Sequence, residues 1–149
     1  MMKKILFWAA CCLALVACNG KDDPSGGGGG GGQETPKTVS VVGVWELSAV
    51  STKVSVGSVD VSVYIDFGSD GNFTLYQKIG EGRYTMFTGK YTLTSDNKLS
   101  GSYSNNSAWG PYTASMSNGN LVLTSAGGKE VDTYKKVSSI PSSVTGNIY

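Results

Sequence analysis

The sequence predicts an all-β domain, an eight-stranded antiparallel up-and-down β-barrel over residues 41–137, preceded by a disordered Gly-rich tether. Three observations predict it. Apolar and polar residues alternate with a period of two through that span, as half-buried strands require. Turn dipeptides that tolerate positive φ separate the alternating runs: Asp70-Gly71, Asp96-Asn97, Asn118-Gly119 and Gly127-Gly128. No segment carries a helical period.

The strands follow in order. Trp45, Leu47 and Ala49 share one face of the first, and Val61, Val63, Ile65 and Phe67 one face of the second. Phe73 and Leu75 mark the third. A long fourth runs from Arg83 to Thr94, with Phe87, Gly89, Tyr91 and Leu93 in phase. Leu99, Gly101 and Tyr103 mark the fifth, Tyr112, Ala114 and Met116 the sixth, and Leu121 and Leu123 the seventh. Val131 to Val137 is the eighth. Lys53 to Ser58 reads either as a long first loop or as an extension of its flanking strands. Short links make neighbouring strands antiparallel. A meander of this kind leaves two exposed edges, which closure into a barrel removes. A sandwich of two four-stranded sheets is the competing architecture. Gly89 and Gly101 within strands, where a sheet bends sharply, favour the barrel.

Upstream of the domain the organisation is different. Lys3-Lys4 and the apolar run from Ile5 to Val16 have the shape of a secretory signal. Twelve apolar residues fall short of the ~20 that cross a bilayer as a helix. The run ends Leu15-Val16-Ala17-Cys18, which resembles the bacterial lipobox. That resemblance implies cleavage before Cys18 and attachment of lipid to its thiol. Two or three acyl chains anchor firmly where one anchors only marginally. Asn19 follows the cysteine, so the usual aspartate signal for inner-membrane retention is absent, and Lys21-Asp22-Asp23 resembles a surface-export signal. The expected location is the outer membrane, at the cell surface, with the periplasmic face as the alternative. Gly26 to Gly32 and the polar residues up to Thr38 bury nothing and read as a flexible spacer. About 20 such residues span roughly 25 Å on average. The divisions are therefore a signal peptide (1–17), a lipidated cysteine and linker (18–40), the barrel (41–137) and a polar C-terminal tail (138–149) that packs loosely.

Composition narrows the function. The net charge is +1, and loss of Lys3 and Lys4 with the signal leaves −1. A near-neutral chain lacks the clustered cations that nucleic-acid phosphates require, so no nucleic-acid partner is expected. The three cysteines lie at positions 11, 12 and 18, and there is no histidine. The mature domain therefore has no disulfide and no nucleophile–base pair built on Cys or His. Asp66 to Gly71 faintly echoes a calcium loop, but position twelve is Gln77 where a bidentate Glu is needed. The carboxylates Glu46, Asp60, Asp66, Asp70, Glu81, Asp96, Glu130 and Asp132 read mostly as turn or outward positions, with no pair on one inward face. No metal, no cofactor and no enzymatic activity are expected, and the chain is expected to be a monomer.

The strand opening Gly43-Val44-Trp45-Glu46-Leu47 has the Gly-x-Trp pattern of lipocalins. Tyr64 to Phe67, Asp70 to Phe73, Gly89-Lys90-Tyr91, Lys98 to Gly101, Leu121 to Thr124 and Thr133 to Lys136 follow in an order that resembles lipocalin-like domains of secreted bacterial lipoproteins. The resemblance implies the barrel and places Trp45 as a core plug at its closed end. It also implies a basic side chain on that indole, for which Lys135 and Lys136 are the candidates.

Two sites follow. Eight strands leave room for packed side chains or for one small ligand. Met86, Phe87, Tyr91, Tyr103, Tyr112 and Met116 are the candidate walls of an interior apolar cup, and a filled core is the alternative. Trp109 lies in the stretch Asn105 to Tyr112, a polar Gly/Pro loop. There it is expected either to stack on a sugar ring or to fold over the mouth as a lid. The expected role is non-catalytic binding of a small hydrophobic or amphipathic ligand. The alternatives are a surface module holding a glycan or a partner protein by its rim loops, and an envelope hydrolase inhibitor.

Overall fold

Every alternating run becomes a strand. The computed structural model describes residues 38–50 and 60–149. The signal peptide, Cys18, the glycine tether and the ambiguous stretch 53–58 lie outside the described residues. The strands are β1 (Gly43–Val50), β2 (Val61–Phe67), β3 (Asn72–Ile79), β4 (Thr85–Leu93), β5 (Lys98–Tyr103), β6 (Ala108–Ser117), β7 (Asn120–Ser125) and β8 (Val131–Val137). Each pairs antiparallel with the next, and β8 pairs with β1, which closes the barrel. The two-sheet sandwich is thereby excluded. Asn118 (φ 50°) and Gly119 (φ 81°) both adopt positive φ, the backbone a two-residue hairpin between twisted strands demands.

Register divides the strands into two faces. Trp45 pairs with Ile65, Ile65 with Leu75, and Leu75 with Phe87, so these side chains point inward. The interior core comprises Trp45, Val63, Ile65, Phe67, Phe73, Leu75, Leu99, Tyr112, Ala114, Leu121, Leu123 and Tyr134. Gly89 and Gly101 also face inward, and both lack room for a side chain. A Cβ on Gly89 would meet the Ser102 carbonyl and come within 2.7 Å of the Phe73 ring. One on Gly101 would meet the Lys90 carbonyl and come within 2.7 Å of the Trp109 ring.

One end of the barrel is plugged. Residues 38–42 lead into β1 and reach the β4–β5 turn, where the Val39 amide donates to Asn97 Oδ1 at 2.8 Å. Trp45 is 1% exposed, and its Nε1–H donates to the Val41 carbonyl at 2.7 Å. Lys136 supplies the basic partner, with Nζ 5.0 Å from the indole centroid and a hydrogen bond to the Val42 carbonyl. Lys135 points to the other face, where it pairs with Glu46 at 2.9 Å.

The C-terminal tail departs from its expected looseness. Residues Ser142–Thr145 form a short helix, α1, whose Val144 is buried. Beyond it, Ile148 makes a parallel bridge to Tyr84. Two backbone hydrogen bonds, Tyr84 N–H to Asn147 O (2.8 Å) and Tyr149 N–H to Tyr84 O (3.1 Å), hold the pairing. Tyr84 is buried too, and its hydroxyl hydrogen-bonds Ser62 on the outward face of β2. A polar composition hid one apolar anchor and a stretch of backbone pairing.

Candidate functional site: an aromatic cup with an interior carboxylate

The end opposite the plug is where the β3–β4, β5–β6 and β7–β8 connections lie, as the strand directions require. Some inward side chains near this end keep exposure, as Met116 does at the plugged end (43%). Phe87 is inward by register yet 37% exposed, and Tyr103 and Trp109 are half-buried. Their rings form a contiguous wall. Phe87 and Tyr103 lie 5.7 Å apart between centroids, Tyr103 and Phe73 5.7 Å, and Phe73 and Trp109 5.4 Å. Trp109 in turn lies 6.4 Å from Tyr112. Separations of this size are those at which aromatic pairs attract edge to face or tilted.

Four of the sequence-derived residues thus come together: Phe87, Tyr103, Trp109 and Tyr112. Three do not. Met86 pairs with Tyr76 on the outward face and is 46% exposed. Neighbouring residues of a strand face opposite sides, so Met86 and Phe87 cannot both line the interior. Met116 has the inward phase but pairs with Leu121 beside the Asn118-Gly119 turn, at the plugged end. Tyr91 also belongs to that end: it packs on Phe67 at 4.9 Å and its hydroxyl donates to the Gly68 carbonyl at 2.7 Å.

Trp109 is the largest correction. It lies within β6 rather than on a rim loop, and it faces inward opposite Gly101. The cause is a register shift between Leu99 and Gly101, across from which Gly110 takes φ +82°. This bulge lets Trp109 and Tyr112, three residues apart, share one face. Neither sugar stacking from a loop nor a lid follows from this position. The Trp109 Nε1 atom is buried without a hydrogen-bond partner among the described residues. Buried donors are satisfied as a rule, so this N–H is an exception.

One functional candidate escaped the sequence reading. The carboxylates read mostly as turn or outward positions, yet Asp132 pairs with Leu123 and shares the face of Tyr134, so it projects into the barrel. The inward face of β8 reads Asp132, Tyr134, Lys136, while its valines, Val131 and Val137, take the outward phase. The signal that could have found it is the phase of Tyr134, the fully buried member of that strand. Burial, and then the nearby Glu130, push the Asp132 carboxyl up to about 6. The same acids, after burial itself, raise the Tyr112 hydroxyl, and Asp132 does so for Tyr134. No cation pairs with Asp132 among the described residues.

A raised carboxyl has a definite linkage sign. The stability Asp132 contributes is fully present below its unfolded value near 4 and is lost as pH rises through about 6. Asp132→Asn should therefore stabilise the barrel at pH 7 and leave it unchanged near pH 4. Allowing for partial exposure the gain is about 1 kcal/mol. In thermal melts that is roughly 5 °C for a domain of this size. Equal shifts at both pH values would show that Asp132 is not desolvated.

The outer surface carries a groove of about 540 Å³. Thr74, Thr88, Lys90 and Ser102 line it from the polar faces of β3, β4 and β5, with Ser104 and Asn106 of the β5–β6 loop at one side. Among the described residues, no group of three or more acidic, Cys or His side chains converges to hold a metal. No helix there is long and apolar enough to cross a membrane.

A closed meander barrel, plugged at one end by a Gly-x-Trp strand with a lysine on its indole and with aromatic rings towards the other, defines a lipocalin-type barrel. The chain belongs to the lipocalin-like domain family, whose model matches residues 41–123. The fold is also similar to the crystal structure of a lipoprotein, YedD, from Klebsiella pneumoniae subsp. pneumoniae. That likeness has 11% sequence identity and a TM-score of 0.48, over 71% of this chain and 79% of the other. Comparison with curated proteins gave no match.

Proposed function

We propose that this protein is a lipid-anchored, non-catalytic binding protein of the bacterial envelope that holds a small apolar or amphipathic ligand inside its barrel. The observation that carries the reading is the asymmetry of the interior. One end is sealed by Trp45 and Val41, while aromatic side chains of inward phase towards the other retain exposure. Apolar pockets with a few placed polar groups are the usual form of small-ligand sites. Here the polar groups are Trp109 Nε1, Asp132 and the tyrosine hydroxyls. Native mass spectrometry of mildly extracted protein tests the reading. A bound small molecule is the expected result, and bare protein across several preparations would overturn it.

Anchoring rests on Lys3-Lys4, the short apolar run and Leu15-Val16-Ala17-Cys18. Cys18→Ala should move essentially all of the protein from the membrane to the soluble fraction. Continued membrane partitioning would refute the anchor. The placement on the outer membrane facing outward rests on Asn19 and Lys21-Asp22-Asp23, and protease accessibility on intact cells checks it.

A second reading, attachment to a glycan or a partner protein, no longer has Trp109 as a stacking platform. What favours it is the outer groove, whose hydroxyl, amide and ammonium groups suit a polar ligand.

A further inference from the structure

We infer that the cup selects amphiphiles bearing a positive charge, that is organic amines, and that Asp132 is the group that recognises it. The inference deepens the interior-binding reading and rests on it. Its first ground is placement. Register puts Asp132 on the inner wall, one cross-strand step from Leu123 and two from Ala114 of β6. Tyr112 of β6 and Tyr134 of β8 are close enough to feel its charge.

The second ground is the chemistry of the wall. Phe87, Tyr103, Trp109 and Tyr112 stand on the neighbouring strands β4, β5 and β6, an aromatic side of the interior. A cation near aromatic faces is attracted by the ring quadrupoles, more strongly where water is excluded. An anionic headgroup would meet the opposite: electron-rich faces, the Asp132 carboxylate and Glu130 beyond it.

The third ground is the state of Asp132 without ligand. A partly buried carboxylate lacking a cationic partner destabilises its fold. Its surroundings within the described residues supply Glu130, Tyr112 and Tyr134, none of which is a cation. Its register partner on β7, Leu123, is apolar. A ligand ammonium supplies the missing charge and offsets the desolvation. This favours the amine while the carboxylate is ionised and weakens as pH falls below its titration range.

Isothermal titration of the full Cys18→Ala chain with three water-soluble probes of one skeleton tests this: 4-phenylbutylamine, 4-phenylbutanol and 4-phenylbutyrate. At pH 7.5 the amine is expected to bind about ten-fold tighter than the alcohol, with the carboxylate weakest. The advantage should shrink several-fold at pH 5. Asp132→Asn should bring the amine down to the affinity of the alcohol while leaving alcohol binding within about three-fold, and Asp132→Glu should retain the preference. If alcohol and amine bind equally to the parent chain, or the preference survives in Asp132→Asn, the inference falls and interior binding stands. If none of the three binds, interior binding falls and takes the inference with it.

Discussion

Replacing Trp45 with alanine is expected to cost about 3–5 kcal/mol, a large share of the 5–15 kcal/mol that holds a typical domain together. Three losses combine. The indole is 1% exposed at the centre of the plugged end, so its removal leaves a cavity lined by side chains that register holds in place. Its Nε1–H bond to the Val41 carbonyl disappears and frees the segment that leads into β1. The Lys136 ammonium loses the ring face beneath it. Thermal unfolding followed by circular dichroism should show a fall of about 15–25 °C. Trp45→Phe separates the contributions: it keeps most of the packing but not the donor, and should cost about 1–2 kcal/mol. Equal melting temperatures for Trp45→Ala and the parent chain would show that this end is not a packed plug.

Gly89→Ala is expected to cost about 3 kcal/mol or more, although alanine is the smallest possible addition. The obstruction is backbone. A Cβ at position 89 would collide with the Ser102 carbonyl and stand 2.9 Å from the Tyr103 Cα, so β4 and β5 must move apart. The damage would reach the cup, because Gly89 is the register partner of both Phe73 and Tyr103. Gly119→Ala is the control. It has the same chemistry and open space around it, so any cost comes from its positive φ alone. Denaturant titration should rank Gly89→Ala well below Gly119→Ala in stability.

These two residues show why the barrel was legible in the sequence. Trp45 announces itself by the Gly-x-Trp opening, and Gly89 by a glycine in phase with Phe87 and Tyr91. Both signals are local, one a motif and the other a break in a period-two pattern. The interior was legible only in part. Phe87, Tyr103 and Tyr112 follow the alternation of their strands and take the inward face. Met86 fails because an adjacent residue takes the opposite face. Met116 and Tyr91 have the inward phase but sit at the wrong end, since alternation says which face a side chain takes and nothing about height along the barrel.

The sequence by itself determined the number and order of the strands, their turns and the identity of the plug. It also carries the signal and lipobox pattern behind the anchoring proposal. Each of these is written in residues close together in the chain. Tertiary structure alone decided closure through the β1–β8 pairing and the phase of β8. A bulge brought Trp109 inside, and the charged Asp132 took an inward position that its neighbouring valines would have claimed on hydrophobicity. The physical reason is that a strand's face is set by its hydrogen-bonded partner. Once β7 fixed the register of β8, burying Tyr134 carried Asp132 and Lys136 to the same side. One of them stacks on Trp45, and the other stands within the barrel.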